Sequence, residues 1–159
     1  MDVNNPGIWH FLDFEIVSYR KAWDFQHSIL NAKKQGSLKE DIVLLLEHQP
    51  VFTMGRRGGS ENLRISECLL EQSGIEVIYV ERGGNITFHG PGQLIGYPIV
   101  DLRRNGIGVA DYVRGLEEVM IRTAGEWHVR AERKSLNRAA WDGNRKLGSI
   151  GIAVQRGVS

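Results

Sequence analysis

Residues Arg82 to Pro98 read RGGNITFHGPGQLIGYP, and the first twelve of them are unusual for a plain loop because they hold four glycines beside polar side chains. Glycines let backbone amides approach a ligand closely, and several such amides can bind a carbonyl oxygen or a phosphate. Arg82 can donate paired hydrogen bonds to a carboxylate, a phosphate or a carbonyl. If the backbone is extended, Thr87 and His89 point to the same side. The stretch predicts a polar cleft, but its composition also fits a glycine-rich turn between two strands.

The segments outside this stretch alternate between strand and helix patterns. Strands are predicted over residues 8–17, 42–46, 51–54, 75–80, 94–102, 129–132, 138–141 and 146–155. Helices are predicted over residues 18–34, 66–72 and 109–125. Asp142-Gly143 predicts a hairpin between the last two strands. This order predicts an α+β fold in which a mixed, mostly antiparallel sheet packs with helices, and it disfavours a doubly wound parallel sheet.

Length and charge set further bounds. A chain of 159 residues suits a single domain, here residues 1–159. Lys and Arg number 20 against 19 Asp and Glu, so there is no electrostatic case for a nucleic-acid partner. The longest apolar run, residues 42–46, is too short to span a membrane, and the first residues lack the pattern of a secretory signal. We therefore expect a soluble, cytoplasmic protein.

The run from Arg82 to Pro98 resembles the signature of the octanoyltransferases of lipoate biosynthesis. Two further segments support the resemblance. Glu47 to Arg56 (EHQPVFTMGR) is similar to the first strand pair of that family and the loop after it, and Lys146 to Gly151 (KLGSIG) is similar to its lysine motif. The similarity extends over nearly the whole chain, to Val154. It implies the fold shared by biotin and lipoate protein ligases.

The resemblance also implies an activity and its partners. The family moves an octanoyl group from octanoyl-acyl carrier protein to a lysine of a lipoyl domain, either of a dehydrogenase complex or of the glycine-cleavage carrier protein. No cofactor and no metal are implied. The implied acyl-binding cleft is lined by Arg82, Gly83, Gly84, Asn85, Ile86, Thr87, Phe88 and His89, with Ser149, Ile150 and Gly151 as a second wall. Lys146 is the implied catalytic lysine.

The chemistry explains why such an enzyme uses these residue types. Transfer from a thioester to an amine through an enzyme thiol requires a thiolate at neutral pH. A nearby lysine ammonium lowers the pKa of that thiol, and the same lysine, once neutral, can take a proton from the incoming amine. Backbone amides of a glycine-rich wall can donate hydrogen bonds to the oxyanion of the tetrahedral intermediate.

The nucleophile itself is expected to be missing. In the family it is a cysteine well beyond the lysine motif, in a Pro-Cys-Gly setting, whereas this sequence ends at Ser159. We therefore expect a catalytic domain incomplete at its C-terminus that cannot by itself turn over through an acyl-cysteine. A shortened chain, a natural truncation and a second polypeptide that supplies the rest all fit. Cys68, the single cysteine, lies in a predicted amphipathic helix and is expected to be a small buried residue.

Two other functions stay open. One is an ATP-dependent lipoate or biotin ligase of the same superfamily, which would need a nucleotide site. The other is a non-catalytic module that binds an acyl carrier or an acyl chain. The histidines show no metal-ligand spacing. Trp9, Trp23, Trp127 and Trp141 are expected to pack in the core or in the cleft.

Overall fold

The computed structural model describes residues 8–134 and 138–159, and within it the chain divides into two units. The first unit runs to Asp101 and includes Ala153–Ser159, and the second unit is Leu102–Ile152. The elements of the first unit are β1 (Trp9–Val17), α1 (Tyr19–Lys34), β2 (Asp41–His48), β3 (Val51–Met54), a short 3-10 helix (Ser60–Asn62), α2 (Glu67–Gln72), β4 (Glu76–Tyr79), β5 (Ile86–His89) and β6 (Ile95–Ile99). Those of the second unit are α3 (Val109–Glu126), β7 (Glu132–Arg133), β8 (Ala139–Asp142) and β9 (Arg145–Ser149).

Two sheets form the first unit, and both are mixed. In one sheet, β2 lies between β1, to which it is parallel, and β6, to which it is antiparallel. In the other, β3 lies between the parallel β4 and the antiparallel β5. The β7-β8-β9 sheet of the second unit is antiparallel throughout. The predicted α+β class with mostly antiparallel pairing is confirmed.

The core of the first unit follows from the apolar run of β2. This strand is central in its sheet, and its apolar run, residues 42–46, has Ile42, Leu44 and Leu46 buried. Ala22 and Ile29 of α1 pack against Leu44 and Leu46 of β2. A smaller cluster of Tyr19, Val51 and Ile78 joins the start of α1 to the second sheet. It is this smaller cluster that borders the candidate site.

Several predicted details are wrong. Trp9 is 40% exposed and Trp127 is 73% exposed, so neither is buried in a core, which was one of the two places expected for the tryptophans. Cys68 is exposed on α2, although its helix has an apolar pattern. The strand predicted over 146–155 ends at Ser149, and the one predicted over 94–102 is only Ile95–Ile99. In the described part of the chain, no helix has the length and apolar character needed to cross a membrane.

Candidate functional site

Arg82 holds the glycine-rich segment against β3. Its Nη2 atom donates to the carbonyl oxygen of Thr53 at 2.9 Å and to the Thr53 hydroxyl at 2.6 Å. Its Nη1 atom donates to the carbonyl oxygens of Gly83 at 3.0 Å and Asn85 at 3.1 Å. The guanidinium fork, which the sequence predicted would face a ligand, here binds backbone. Arg82 therefore shapes residues 82–85 by fixing both ends of the segment.

A second loop fastens to the same segment. The backbone N–H groups of Gly55, Arg56 and Arg57 donate to the carbonyl oxygens of Asn85, Arg82 and Gly84 at 3.0 to 3.1 Å. The two backbones come so close that a Cβ atom at Gly55 would lie 2.7 Å from the carbonyl oxygen of Gly84. Only glycine fits at this position.

Together these bonds make the carbonyl oxygens and the N–H groups of residues 82–85 differ in whether they have a hydrogen-bond partner. All four of their carbonyl oxygens accept hydrogen bonds from the protein. The backbone N–H groups of Gly83 and Gly84, in contrast, donate to no other residue in the part of the chain described. Gly84 has a φ of 92°, a backbone conformation that glycine adopts readily. The arrangement suits a carbonyl oxygen that gains negative charge.

A buried histidine lies beside this wall. His48 is completely buried at the end of β2, with Nδ1 2.7 Å from the carbonyl oxygen of Val17 and Nε2 2.8 Å from the hydroxyl of Tyr97. A carbonyl oxygen can only accept, so Nδ1 carries the proton and the Tyr97 hydroxyl donates to Nε2. Burial lowers the pKa of His48, opposed by its bond to Val17. His48 is therefore neutral, and its two hydrogen bonds connect β2 to β1 and to β6.

His89 ends β5 and lies against the same aromatic groups. Its ring stacks on Tyr19 at 6.2 Å between centroids and 15° between planes, and it meets His48 edge to face at 5.8 Å. Its Nδ1 atom lies 2.6 Å from Oε1 of Gln93. Burial lowers the pKa of His89 most; the Gln93 bond opposes this, and electrostatic repulsion by the His48 imidazole and the Arg82 guanidinium lowers it further. The ring is thus neutral near pH 7.

Glu47 fixes the turn that follows β5. Its Oε2 atom accepts from the backbone N–H of Gly92 at 2.6 Å, across 45 residues of sequence. Tyr19 covers the other side of the cluster, where burial raises its pKa to about 12. The phenol is therefore protonated at neutral pH and does not act as a base. Neighbouring residues Glu47 and His48 thus each fix a different segment around His89.

The first unit brings together all the residues predicted from Arg82 to His89. Thr87 pairs opposite Thr53, and Thr87 and His89 lie two apart on the extended β5, as anticipated. Phe88 points the other way, is 46% exposed and packs on Phe52 at 5.0 Å. Five residues that complete this cluster were not predicted as site residues: Tyr19, Glu47, His48, Thr53 and Tyr97. All except Tyr19 lie in the segments Glu47 to Arg56 and Arg82 to Pro98 that carry the family resemblance. One signal was available, since Glu47-His48 places two polar residues at the end of a buried apolar strand.

The remaining predicted residues belong to the second unit. Lys146 lies on β9, exposed and paired across the hairpin with Trp141. Ser149 ends the strand opposite Ala139, and the N–H of Ile150 donates to Arg138 at 3.1 Å. This unit also has an open cleft of about 570 Å³ between α3, β7 and the β8-β9 turn. The cleft is lined by Ile121, Gly125, Val129, Arg130, Ala131, Glu132, Asp142 and Gly143, none of them a predicted site residue.

Comparison with known proteins decides the family. Residues 18–159 match the family described as the lipoyl protein ligase A/B catalytic domain. The chain belongs to this family. Two curated members called octanoyltransferase are 47% identical over 150 residues (Desulfotalea psychrophila) and 45% identical over 142 residues (Alkaliphilus metalliredigens). These alignments cover 93% and 89% of this chain but 67% and 65% of those relatives. The chain therefore spans about two thirds of the length of the curated relatives it matches.

Solved structures support the fold. A bipartite lipoate protein ligase of Thermoplasma acidophilum, studied with its E2 lipoyl domain, aligns with a TM-score of 0.69 at 16% identity, over 96% of this chain and 59% of that one. A lipoate-protein ligase A bound with ATP aligns with a TM-score of 0.66 at 14% identity, over 97% of this chain and 64% of that one. At such low identity these likenesses establish the lipoyl protein ligase fold alone.

Proposed function

We propose that this chain supplies the acyl-binding wall and the catalytic lysine of an octanoyltransferase in lipoate biosynthesis. The donor is octanoyl-acyl carrier protein, and the acceptor is a lysine of a lipoyl domain. The relatives named octanoyltransferase support this assignment. The observation that carries it is the polarity of residues 82–85, where the carbonyl oxygens are all bonded and the N–H groups of Gly83 and Gly84 are available.

In this proposal the octanoyl carbonyl oxygen accepts hydrogen bonds from Gly83 and Gly84. Those bonds strengthen as the oxygen gains negative charge in the tetrahedral intermediate, which lowers the barrier. Asn85, Ile86, Thr87 and Phe88 extend the wall along β5, and the family resemblance also assigns acyl binding to Ser149, Ile150 and Gly151 of the second unit. Arg82 contributes by holding the first wall in shape. All of these residues would belong to one acyltransferase domain acting in the cytoplasm.

The proposal gives Lys146 the task of stabilising a thiolate. An ammonium near a thiol lowers the pKa of that thiol and raises the fraction of the reactive form at neutral pH. Cys68 is not the partner thiol here. It lies exposed on α2, with Sγ 3.6 Å from Nε2 of Gln72, and no described acid or base pairs with it.

The test is a transfer assay with octanoyl-loaded acyl carrier protein and a lipoyl domain, without ATP, with intact mass as the readout. A protein that contains this chain and the partner thiol is expected to add one octanoyl group to the lipoyl domain. Lys146→Ala should lower the rate by about 100-fold or more. Cys68→Ala and Lys39→Ala, which alters another exposed lysine, should leave it unchanged.

Other outcomes would favour the alternatives. Transfer that requires ATP and free octanoate would favour a ligase. Binding of the loaded carrier without transfer would favour a non-catalytic module. Transfer by the 159 residues alone that survives Cys68→Ala would contradict the acyl-cysteine route.

A further inference from the structure

The second unit carries more positive charge than the rest of the chain. Residues 102–152 contain ten of the 20 Lys and Arg residues and six of the 19 Asp and Glu residues, so their formal charge is +4. The remaining residues carry a formal charge of −3. The net charge of +1 is therefore the sum of two units of opposite sign. A charge of this size attracts an anionic partner to the second unit.

Some acids of the second unit are already bonded to arginines. The pairs are Glu118 with Arg122 at 2.8 Å, Glu118 with Arg133 at 2.7 Å, Glu117 with Arg133 at 3.3 Å, and Asp142 with Arg145. Lys134 and Lys146, in contrast, have no carboxylate partner among the described residues. Nζ of Lys134 lies 3.5 Å from Oδ1 of Asn144, which is a neutral oxygen. The charge of these two lysines is thus not offset by a bonded acid.

Lys134 and Lys146 both lie next to Trp141 on one face of the β7-β8-β9 sheet. Nζ of Lys134 lies over the Trp141 ring, 5.5 Å from its centroid. Lys146 is directly opposite Trp141 in the β8-β9 register, so their side chains share a face. The neighbour of Trp141 on β8 pairs with Gly148, where an added Cβ atom would lie 2.6 Å from Sδ of Met120 on α3. Trp141 therefore lies on the face turned away from α3.

This cationic face, defined by Lys134, Trp141 and Lys146, is bordered by an acid. Glu132 pairs with Trp141 from β7, on the side of β8 opposite to Lys146. Glu132 and Lys146 are both exposed, so charges at the two ends of this row can be reached by a partner. Glu132 partly offsets the lysines, and replacing it by a cation would extend the cationic face.

The chemistry of the two substrates favours the donor as the occupant of this face. A carrier protein holds its acyl thioester on an arm that is joined to it through a phosphodiester, so the donor brings a negative charge together with the reacting group. A lysine ammonium binds phosphate as a point charge. The acceptor group is itself a lysine, which is a cation at neutral pH and is repelled by other cations.

We propose that the cationic face is the docking surface for the octanoyl-loaded acyl carrier protein. The inference rests on the proposed function and deepens it, because it brings the donor to the lysine that is expected to activate the thiol. Lys146 keeps that task. Lys134 attracts and holds the carrier without touching the reacting atoms.

The first experiment measures binding and needs no transfer. The octanoyl-loaded carrier is titrated into the 159-residue chain by isothermal titration calorimetry at low salt. Lys134→Glu should weaken binding by about 3- to 10-fold, because an attraction becomes a repulsion. Lys39→Glu, at an exposed lysine of the first unit, changes the net charge equally and should alter Kd by less than about 2-fold. The difference between these variants should shrink at high salt.

The reverse substitution should strengthen binding. Glu132→Lys extends the cationic face and should lower Kd for the carrier by about 3- to 10-fold. Glu71→Lys, at an exposed glutamate of α2, adds the same charge to the first unit and is the matched control. A gain in affinity does not arise from a misfolded chain, so Glu132→Lys decides even where Lys134→Glu fails to fold.

Trp141 offers a local readout of the same binding. Its indole N–H signal in ¹H–¹⁵N spectra, identified by its loss in Trp141→Phe, should shift when the carrier is added. The shift should be smaller in Lys134→Glu at the same carrier concentration. An indole signal that stays in place at saturating carrier would overturn the inference.

The second experiment separates docking from chemistry. A protein that contains this chain and the partner thiol receives either the octanoyl-loaded carrier or octanoyl-pantetheine, a small thioester without phosphate or protein. Lys134→Glu should raise KM for the carrier by about 3- to 10-fold with kcat nearly unchanged. The same variant should leave KM for octanoyl-pantetheine and for the lipoyl domain unchanged.

The outcomes distinguish the docking surface from the proposed function. Equal effects of Lys134→Glu and Lys39→Glu would overturn the inference, because net charge alone would then explain them. An effect confined to KM for the lipoyl domain would also overturn it, by assigning the cationic face to the acceptor. Carrier binding that responds as expected, in a protein that transfers no octanoyl group, would contradict the proposed function while supporting the docking surface.

Discussion

At the scale of single residues, the Arg82 guanidinium donates hydrogen bonds to the backbone of its own segment and of β3. Lysine at this position has one compact charge and cannot make the same set of bonds. Arg82→Lys should lower the free energy of unfolding by about 2–3 kcal/mol, measured by urea denaturation followed by circular dichroism. Arg56→Lys, at an exposed arginine of the neighbouring loop, should change it by less than about 0.5 kcal/mol. Equal losses in both variants would contradict the role of Arg82.

His48 and His89 make stability depend on pH. Both have a pKa below the ordinary value of 6.5 in the folded chain, chiefly through burial. Between that lower pKa and 6.5 the unfolded chain binds more protons, so stability falls as the pH drops below 6.5 and is fully present above it. Each histidine contributes a slope of at most about 1.4 kcal/mol per pH unit.

Urea unfolding at about pH 7 and pH 5 checks this. His48→Gln should be less stable than the wild type at pH 7. Its free energy of unfolding should fall less between pH 7 and pH 5, because one of the two titrating groups is gone. His10→Gln, at an exposed histidine of β1, should keep the wild-type difference. A wild-type chain that gained stability on acidification would refute the assignment.

Residue types near the site were foreseeable, but their partners were not. The glycines, Arg82 and His89 stood out because such a mixture is rare in a plain turn. Glu47 and His48 did not stand out, because their partners Gly92 and Tyr97 lie 45 and 49 residues away in sequence. A contact of that range depends on which strands become neighbours, and local pattern does not encode it.

At the scale of elements, a buried ion pair joins the end of α1 to the start of β2. Nζ of Lys33 lies 2.7 Å from Oδ1 of Asp41, with the side chains 1% and 0% exposed. The same oxygen accepts from the N–H of Asp101 at 3.0 Å. Lys33→Met should lower the free energy of unfolding by about 3–5 kcal/mol, because the Asp41 carboxylate is left without its buried counter-ion.

A double-mutant cycle tests this pair. Lys33→Met combined with Asp41→Asn should recover part of the loss, because the uncompensated charge is removed together with its partner. Lys21→Met, at an exposed lysine on α1, is the control and should change stability little. Additive losses in the double variant would show that the two groups are not coupled.

The β8-β9 hairpin shows how turn chemistry set an element. Asp142-Gly143 predicted the hairpin, and the turn is in fact Gly143-Asn144, one residue further on, with a φ of 53° at Gly143. Gly143→Ala should cost about 1–2 kcal/mol because alanine is strained at positive φ. Gly115→Ala on α3, where an added Cβ meets nothing within 4 Å, should stabilise by up to about 1 kcal/mol. Thermal denaturation should show a lower melting temperature for Gly143→Ala and a higher one for Gly115→Ala.

β5 was the element that sequence pattern missed. Its four residues lie among glycines and a proline, which made the whole segment look like a loop. The strand forms because β3 offers it a full antiparallel register, from Val51 opposite His89 to Met54 opposite Ile86. Tertiary pairing here outweighs local propensity.

For the chain as a whole, hydrophobic pattern and composition were sufficient to predict the α+β fold class but not which strands pair with one another. Apolar runs located most strands, and their mixed order gave the α+β class. The β1-β2-β6 sheet is mixed because α1 connects the parallel β1 and β2, while β6 pairs antiparallel with β2 on its other side. Which strand pairs with which is decided by burial over long range, and the same burial brings Tyr19, His48 and Tyr97 to His89.

The surface of the chain combines low net charge with an exposed apolar strand. The formal net charge is +1, so copies repel one another weakly. β1 lies at the edge of its sheet, with Phe11 66% exposed and Ile16 51% exposed. We expect concentration-dependent self-association, measurable by light scattering, which Phe11→Lys with Ile16→Lys should suppress. Val119→Lys with Leu69→Lys adds the same charge elsewhere on exposed apolar positions. Equal suppression by this control would assign the association to low net charge and not to β1.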